Sequence, residues 1–370
     1  MRFHRQQTER GIALMIVMMV IVVLGLLAAG LSYSMKVETQ LARNFDAEGE
    51  VLWLARSGLE LAGWYIAQKD LDPQQIRFDC LAQEWAGGPG LNADIEPLVA
   101  THPVTGLSLQ GSALGRGEFS IEIVDQERRF NINRATPEIM EKALDMLGLA
   151  TLDTDVVLDS LEDWKDPNDV PLINGAESEY YLNQAPPDGP HFAKDGPIED
   201  LAELLMVRGL GRELVFGGVS PEVGEIDAPI RRLGFVGGWK TEPGGVCLAD
   251  LFNTSGDARI NINTASKEVL ELLPGMDSNL AEGIVMARQG LDGRDGTEDD
   301  TPYQDVRDLG AVGGIPPQYI GILARLCTVR SSTFEVRVRA SVGNYERVYV
   351  AIITRPVARR GMVVMRSWWE

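Results

Sequence analysis

An uninterrupted apolar run lies near the start of the chain. From Ile12 to Leu31 the residues are Ile, Leu, Met, Val and small residues, and none is charged. About twenty such residues, at ~1.5 Å rise per residue, span the ~30 Å hydrocarbon core of a bilayer. The preceding residues 1–11 carry three arginines and one acid, and positive charge of this kind keeps a segment in the cytoplasm. The pattern predicts a single-pass anchor over residues 12–34, with the rest of the chain on the far side of the membrane.

The apolar positions continue beyond the anchor at helical spacing. Steps of three, four and seven residues connect one helix face, whose members are Val37, Leu41, Phe45, Leu52, Ala55, Leu59, Ala62 and Ile66. Glu48 breaks the row, and the helix is expected to end near Lys69. A secretory signal has an apolar core of roughly 7–15 residues followed by a cleavage site. This longer run, which passes directly into an amphipathic helix, is untypical of such a signal.

Period-two patterns mark three strands, of which the first lies far from the other two in the chain. One contains Phe119, Ile121 and Ile123, and the other two flank Gly343-Asn344 near the C-terminus. Two runs of period two around a short Gly-Asn turn predict a β-hairpin. We expect the hairpin to pair with the first strand, so that everything between them is inserted into one antiparallel sheet. The predicted fold class is α+β.

The insertion contains an internal repeat. Residues 131–141 and 261–271 share the pattern N-I-N-x-A-[ST]-x-E-[apolar]-[apolar]-E. Thr136 and Ser266 suit the N-cap of a helix, and the glutamate two residues after each places negative charge in the first helical turn. An acidic loop and a further helical segment follow each copy. The sequence therefore predicts a helical domain of two repeats.

The second copy continues with a short turn between two helical patterns. Leu272-Leu-Pro-Gly-Met276 precedes Ala281, Ile284 and Arg288, which resembles a helix-hairpin-helix. In many proteins that motif binds DNA phosphates through backbone N–H groups, and the alternative is a packing unit. The formal net charge is −20, and near −22 without residues 1–11. Because unspecific nucleic-acid binding depends on Lys and Arg, this charge favours packing.

Two acidic loops have the chemistry of a site for a hard cation. Ca²⁺ takes about six to eight oxygen ligands, and flexible loops supply them. Like charges within each loop repel one another unless they are neutralised. Neither loop has the spacing of an EF-hand, and solvated acidic loops are the alternative. The candidate ligands are Asp163, Asp166, Asp169, Glu177 and Glu179 in the first loop, and Asp292, Asp295, Glu298, Asp299 and Asp300 in the second.

The sequence offers little for catalysis. Beyond residue 11 the histidines are His102 and His191, and no G-x-S-x-G or P-loop pattern occurs. Clustered acids on a Gly-rich loop are poorly desolvated for general-acid work. We therefore expect no enzymatic activity. Cys80, Cys247 and Cys327 allow one disulfide in an oxidising compartment, or buried thiols, and their spacing does not decide between the two.

The N-terminal pattern resembles that of type IV pilins and type II secretion pseudopilins. In that family a prepilin peptidase cuts after the leader glycine, here between Gly11 and Ile12, and the apolar helix is retained as anchor and filament core. Most members carry Glu at the fifth mature position, where this chain has Ile16. The missing Glu, the large size and the repeats inside the sheet resemble minor pseudopilin K of type II secretion systems. The resemblance is weakest at 71–117 and 210–259.

This resemblance implies a pilin-like long N-terminal helix and antiparallel sheet, with a large helical domain of helix-hairpin-helix-like repeats inserted into the sheet. The expected division is a leader at 1–11, a membrane and filament-core helix at 12–34, the amphipathic helix, a loop and the first strand at 35–130, the inserted domain at 131–327 with repeats at 131–209 and 260–327, the β-hairpin at 328–356 and a tail at 357–370.

It also implies a function in assembly. A minor pseudopilin K sits in the bacterial inner membrane with its C-terminal domain in the periplasm. There it caps or initiates the pseudopilus with the I and J minor pseudopilins, next to the major pseudopilin, for export of folded periplasmic proteins. Calcium in the helical domain is a family feature, so one or two Ca²⁺ ions are expected in the acidic loops. The expected partner surface is the helix face of Leu41, Phe45, Leu52 and Leu59, for which packing on the chain's own sheet is the alternative.

Two other functions remain open at this point. A minor pilin of a type IV pilus or competence system would contact DNA through the helix-hairpin-helix, which calls for a basic hairpin face. A membrane-anchored periplasmic enzyme would use the acidic loops, which calls for a cleft containing a carboxylate whose pKa is strongly raised.

Overall fold

The computed structural model describes residues 6–69, 75–89, 109, 111–149, 151–183, 189–217, 246–355 and 362–370. Residues 1–5 of the predicted leader and His102 lie outside the described residues, as do the side chains of residues 6–12, which include the predicted cleavage point. The helices are α1 Gln6–Lys69, α2 Pro137–Met146, α3 Thr151–Lys165, α4 Ser178–Leu182, α5 Arg212–Phe216, α6 Leu248–Leu251, α7 Lys267–Glu271, α8 Ser278–Arg288 and α9 Pro317–Leu326. The strands are β1 Ser112–Leu114, β2 Gly117–Asp125, β3 Phe130–Asn131, β4 Phe252–Asn253, β5 Ile260–Asn261, β6 Cys327–Thr328, β7 Thr333–Val342, β8 Tyr345–Thr354 and β9 Val363–Trp369.

Helix α1 has two halves with different surroundings. Its N-terminal half exposes an apolar surface, and among the described residues it is the helix long and apolar enough to cross a membrane. Its C-terminal half packs on the sheet, where Val51, Ala55 and Ile66 are fully buried. The candidate partner face divides at the same place. Leu41 and Phe45 are 62% and 80% exposed, whereas Leu52 is half-buried and Leu59 packs against the core beneath the sheet.

The five-stranded sheet has the order β1-β2-β7-β8-β9, and all of its pairs are antiparallel. β2 pairs with β7 so that Phe119 lies opposite Ala340 and Ile123 opposite Val336. Gly343 turns the β7–β8 hairpin with a φ of 61°, in the left-handed region that glycine adopts without strain. The predicted hairpin and its pairing with the distant first strand are confirmed, and residues 126–332 are inserted between β2 and β7.

The last strand lies in the segment that the sequence suggested is a tail. β9 pairs with β8 at the sheet edge, with Trp369 opposite Tyr349 and the two ring centroids 4.9 Å apart. The Arg347 guanidinium lies 4.7 Å from the Trp369 ring centroid. The residues of β9 read Val-Val-Met-Arg-Ser-Trp-Trp, which do not alternate, so the period-two signal is missing. The predicted tail at 357–370 therefore contains an ordered strand.

The N-I-N turn has the same hydrogen-bond pattern in its two copies. The side chain of Asn131 accepts a hydrogen bond from the N–H of Asn133 at 3.0 Å, and Asn261 accepts one from Asn263 at the same distance. The isoleucine between the asparagines of each copy is buried in the domain core. Asparagine is suited to this turn because its side-chain oxygen reaches the N–H two residues on.

The second asparagine of each motif holds the next segment of its own repeat. The Asn133 amide exchanges two hydrogen bonds with the backbone of Ile198, at 2.7 and 2.8 Å. The Asn263 amide does the same with the backbone of Tyr303, at 2.8 and 2.9 Å. A side-chain amide has both a donor and an acceptor, so it bonds to this backbone as a neighbouring strand would. The invariance of the N-I-N pattern between the two copies follows from these two bonding roles.

Gly58 allows α1 to lie close to the sheet, and its substitution is expected to destabilise the protein. A Cβ atom at Gly58 would lie 2.5 Å from Val338 Cγ1, whereas one at Gly49 would meet nothing within 4 Å. We expect Gly58→Ala to lower the free energy of unfolding by about 1–3 kcal/mol through overpacking. Gly49→Ala, the control, should raise it by about 0.5–1 kcal/mol because alanine favours the helix. Thermal unfolding of both variants in detergent checks this, and equal effects would contradict the close approach.

Candidate metal centre

The first acidic loop connects the end of α3 to α4 and is held by carboxylates of α3. Asp159 accepts hydrogen bonds from the N–H and the side chain of Asn174 at 2.9 and 3.0 Å. The two carboxylate oxygens of Asp163 accept from the N–H of Leu172 at 3.1 and 3.2 Å. A Cβ atom at residue 175 would lie 1.9 Å from Asp163 Oδ2, so only glycine fits at Gly175. The loop is therefore folded around Asp163.

Five carboxylates come together in this loop and the segment that follows it. Each of two groups has carboxylate oxygens within 4.8 Å of one another, and Glu177 belongs to both. The first group is Asp163, Asp166 and Glu177, and the second is Asp169, Glu177 and Asp195. We call these five residues the carboxylate cluster.

Glu177 is the residue that most requires a partner. It is 3% exposed, and both of its carboxylate oxygens are buried without a hydrogen-bond partner among the described residues. Burial first, and then the charges of Asp163, Asp195, Asp166 and Asp169, together raise the pKa of Glu177 to about 7. Burial also raises the pKa of Asp163, against the N–H groups of Leu172 and Ala176 that lower it. An uncompensated buried carboxylate is costly unless a proton or a cation neutralises it.

The nearby lysines bind other acids. Lys165 lies 3.1 Å from Glu162, and Lys194 lies 2.9 Å from Glu203. The carboxylate cluster thus holds several negative charges around two orphaned oxygens, with hard oxygen donors from more than one segment. This donor set fits Ca²⁺, which takes carboxylate and backbone oxygens in flexible geometry.

The cluster differs from the predicted ligand set in two residues. Glu179 is exposed in the first turn of α4 and belongs to neither group of described carboxylates. Asp195 joins the cluster although its place in the sequence is 26 residues beyond Asp169. Its φ of 52° is positive, which is uncommon outside glycine and tolerated by aspartate. The Asp195-Gly196-Pro197 turn sequence is the signal that could have pointed to it.

The carboxylates of the second acidic loop accept hydrogen bonds that stabilise the loop's own conformation. Asp299 accepts hydrogen bonds from the N–H groups of Leu291 and Asp292 at 2.7 and 3.1 Å, and the bond from Leu291 contributes most to lowering its pKa. Asp300 accepts from the N–H of Gly296 at 2.8 Å. Asp295 accepts two hydrogen bonds from the buried Arg288 guanidinium at 2.9 and 2.8 Å.

The remaining candidates of the second loop are exposed. Asp292 accepts from the N–H of Arg294 at 2.8 Å, and Glu298 lies on the surface. Within the described residues, no three carboxylates of this loop form a group like those around Glu177. The two loops follow equivalent helices in the repeat, yet only the first contains a buried carboxylate with orphaned oxygens.

The cysteines form no disulfide in this structure. Cys80, Cys247 and Cys327 are free and buried. Burial raises the pKa of each thiol to about 12, so these residues behave as small apolar side chains.

Comparison with known proteins gives a consistent assignment. A family model described as type II secretion system (T2SS), protein K, matches residues 120–216. A type II secretion system protein K of Klebsiella pneumoniae is 28% identical over 228 residues, which are 57% of this chain and 60% of that protein. The namesake protein of Pseudomonas aeruginosa is 24% identical over 361 residues, which are 94% of this chain and 89% of that protein.

A solved structure shares the fold along almost the whole chain. It is the crystal structure of the GspK-GspI-GspJ complex from enterotoxigenic Escherichia coli, and the match has a TM-score of 0.60 at 16% identity. The match covers 90% of this chain and 99% of the chain in that structure. The long helix, the sheet and the inserted helical segments are common to both. The chain is therefore similar in sequence to type II secretion system proteins K, as its N-terminal pattern and repeats suggested, and it shares its fold with a chain of the GspK-GspI-GspJ complex.

Proposed function

We propose that the protein caps the tip of a type II secretion pseudopilus and helps to start or limit its growth. The division of α1 carries this proposal. The C-terminal half of the helix is buried on the protein's own sheet, while the half before residue 50 exposes apolar side chains along its length. Lipid surrounds such a helix in the inner membrane, and neighbouring helices surround it in a filament. The globular part then lies in the periplasm.

Two features support a tip position: the residue at the fifth mature position and the size of the inserted domain. Ile16 stands where most family members carry a carboxylate that pairs with a neighbouring N-terminus, so this subunit gains no such pairing with a subunit above it. The inserted domain over 126–332 adds a large helical body to one sheet. Subunits stacked in a shaft leave no space for a body of that size, whereas the end of a filament does.

The proposed partners are the I and J minor pseudopilins and the major pseudopilin. The related structure from Escherichia coli is a complex of K, I and J proteins, and one chain of it matches this chain over 99% of its own length. The surface we assign to them is the exposed apolar face of α1 around Leu41 and Phe45. Processing by the prepilin peptidase between Gly11 and Ile12 would release this helix for assembly.

We also propose that the carboxylate cluster binds Ca²⁺. Support comes from the orphaned oxygens of Glu177 and from the convergence of five acids. Bound calcium would supply positive charge between the cluster's two groups. The ion would then fasten the end of α3, the first acidic loop and the Asp195 turn to one another. The second acidic loop keeps its shape through hydrogen bonds to its own N–H groups and through Arg288.

The structure gives the two alternative functions little support. After the hairpin turn between α7 and α8, the carboxylate of Asp277 accepts hydrogen bonds from the N–H groups of Asn279 and Leu280 at 3.0 and 2.9 Å. N–H groups that already bond to an acid are not offered to DNA phosphates. Glu177 has the raised pKa that an enzyme calls for, but it is almost fully buried and offers no surface to a substrate. A surface cavity of about 880 Å³ is lined by other residues, among them Arg77, Asp305 and Arg330.

A charge introduced on the exposed face of α1 is expected to abolish binding of the partner pseudopilins. Phe45→Asp should abolish co-purification of the I and J pseudopilins from gently solubilised envelopes, because an aspartate would have to be buried without a counter-charge in the helix interface. The melting temperature should stay unchanged, since Phe45 is 80% exposed. Mass spectrometry of the purified protein should give an N-terminus at Ile12.

The matched control is Leu152→Asp, which changes an 82% exposed leucine in the inserted domain and should leave the partners bound. Loss of partners in this control but not in Phe45→Asp would move the interface to the inserted domain. An N-terminus at Met1 in a preparation without any pilin-like partner would overturn the proposed function itself.

A further inference from the structure

The outer edge of β9 is an open edge of the sheet. β9 is the last strand of the five-stranded sheet, and no strand of the described residues pairs with its other side. It has seven residues, which extend over about 23 Å, whereas β1 at the opposite edge has three. Val363, Val364 and Met365 are 44%, 47% and 67% exposed. A long, exposed, apolar edge strand is a place where another strand can pair.

The direction of the backbone groups follows from one hydrogen bond at the end of β9. The N–H of Glu370 donates to the carbonyl of Val348, next to β8, at 2.9 Å. In an antiparallel ladder the backbone groups of alternate residues face the same neighbour. Arg366, four residues earlier in the same register, therefore also faces β8. The N–H and C=O groups of Ser367 and Trp369 face the open edge.

Tryptophan contacts hold β9 in place before any partner binds. Trp369 packs against the core beneath the sheet, and the Arg347 guanidinium lies 4.7 Å from its ring centroid. Trp368 is half-buried, with the Arg366 guanidinium 4.8 Å from its ring centroid. Arg366 also donates to the carbonyl of Glu199 at 3.2 Å, which joins β9 to the inserted domain. Because the edge is already formed, little conformational entropy is lost when a strand binds to it.

The charge of β9 indicates the chemistry of its partner. Arg366 is the one charged residue from Val363 to Trp369, in a chain whose formal net charge is −20. It lies at the midpoint of β9, so two copies paired antiparallel around their centres would place two Arg366 side chains opposite each other. Like charges in that arrangement destabilise a strand pair, whereas opposite charges stabilise it. The edge therefore disfavours a second copy of this chain and favours a strand that carries carboxylates.

We propose that β9 binds an extended acidic segment of another polypeptide, which adds to the sheet as an antiparallel strand. The partner residue opposite Arg366 occupies a non-hydrogen-bonded position, where paired side chains lie closest together. A carboxylate there pairs with Arg366, and the next partner residue exchanges backbone hydrogen bonds with Ser367. This edge is distinct from the α1 face around Leu41 and Phe45, so the inference goes beyond the tip function and needs neither the I nor the J pseudopilin.

Two fluorescein-labelled peptides test the charge preference on the full-length protein in a neutral detergent. The acidic peptide is Val-Glu-Val-Glu-Val-Glu-Val, and the basic peptide has lysine in place of each glutamate. At about 0.15 M salt, which screens the net charge of the protein, anisotropy should show the acidic peptide binding about tenfold more tightly. Arg366→Glu should reverse this preference, which a loss of structure alone would not do. Equal binding of the two peptides to the wild type, or tighter binding of the basic one, would overturn the proposal.

The matched control is Arg339→Glu. Arg339 is an exposed arginine of β7, two strands away from β9 in the same sheet, and it pairs with Glu346. The variant makes the same change of charge and should keep the preference for the acidic peptide. A reversal in Arg339→Glu as large as in Arg366→Glu would show that the peptides respond to the overall charge, and it would overturn the assignment to β9.

N-methylated peptides test strand pairing on the wild type and need no variant to fold. When a glutamate lies opposite Arg366, the valine N–H groups of the acidic peptide face β9 and the glutamate N–H groups face away. Methylation of the valine nitrogens should abolish binding, and methylation of the glutamate nitrogens should preserve it. Equal effects of the two methylations would overturn strand addition. Dimers of the wild type that the acidic peptide dissociates in sedimentation analysis would assign the edge to a second copy and overturn the acidic partner.

Discussion

Removal of calcium with a chelator is expected to lower the melting temperature of the full-length protein, and added Ca²⁺ is expected to restore it. A ligand that binds only the folded state stabilises it by about 2.7 kcal/mol at a hundred times its dissociation constant. For a domain of this size that corresponds to roughly 5–10 °C. The physical reason is the carboxylate cluster, in which both oxygens of the buried Glu177 lack a partner among the described residues.

The size of the calcium effect should depend on pH. Burial raises the pKa of Glu177 to about 7 in the folded protein, above its usual value. Without calcium, the stability that comes from protonated Glu177 is present at low pH and is lost as the pH rises through about 7. Calcium binds the ionised carboxylate and removes this loss. The difference between calcium and chelator should therefore be larger at pH 8 than at pH 5.5.

Two variants separate this prediction from a general effect of acidic loops. Glu177→Gln keeps the shape of the side chain without its charge, and it should abolish most of the response to calcium. Glu298→Gln, in the exposed part of the second acidic loop, should keep the full response. Mg²⁺ should replace calcium poorly, because it demands octahedral geometry and gives up water reluctantly. A response that survives Glu177→Gln but disappears in Glu298→Gln would place the ion in the second loop.

The parts of the fold that the sequence predicted are those with a regular period. α1, β2, β7 and β8 each contribute one apolar face to the same core, and this requirement imposes a helical or a period-two pattern on the residues. The distant pairing of β2 with the β7–β8 hairpin could be inferred because these strands carry the period-two pattern. The repeat could be read because each asparagine of N-I-N has a fixed bonding role in both copies.

The parts that the sequence missed depend on contacts between distant segments. β9 is an edge strand whose exposed residues carry no alternation, and it is fixed by pairing with β8. Asp195 reaches the carboxylate cluster through the path of the chain after α4, which local composition does not encode. The two acidic loops look alike in composition. They differ because Arg288 and backbone N–H groups donate hydrogen bonds to the carboxylates of the second loop. Such pairing becomes visible only in three dimensions.

A buried polar network joins the sheet to the inserted domain, and the sequence pattern did not indicate it. At the end of β2, the carboxylate of Asp125 accepts hydrogen bonds from Thr264 at 2.5 Å, Ser331 at 2.6 Å and Asn261 at 3.2 Å. Asp79, which is fully buried, accepts from the N–H of Ser331 at 2.8 Å. Burial raises the pKa of Asp125, and the hydroxyl donors partly offset this effect. The network connects residues that lie far apart in the sequence, so its loss should loosen the insertion from the sheet.

Loss of the Asp79 carboxylate is expected to be the most damaging single change in this network. Arg355 donates to Asp79 at 3.2 Å, and their side chains are 12% and 0% exposed. Asp79→Ala should lower the free energy of unfolding by about 3–5 kcal/mol, because a buried guanidinium then loses its carboxylate. Glu346→Ala removes the exposed pair with Arg339, whose side chains are 50% and 64% exposed, and should cost less than about 1 kcal/mol. Urea unfolding followed by tryptophan fluorescence measures both.

The double variant Asp79→Ala/Arg355→Met distinguishes the ion pair from simple loss of packing. If the buried pair carries the effect, the double variant should be less destabilised than the sum of the two single variants, because no uncompensated charge remains in it. Strict additivity would mean that the two residues act independently and that the network does not join the sheet to the insertion through this pair. The same cycle on Arg339 and Glu346 should give a coupling near zero, since water already solvates both exposed partners.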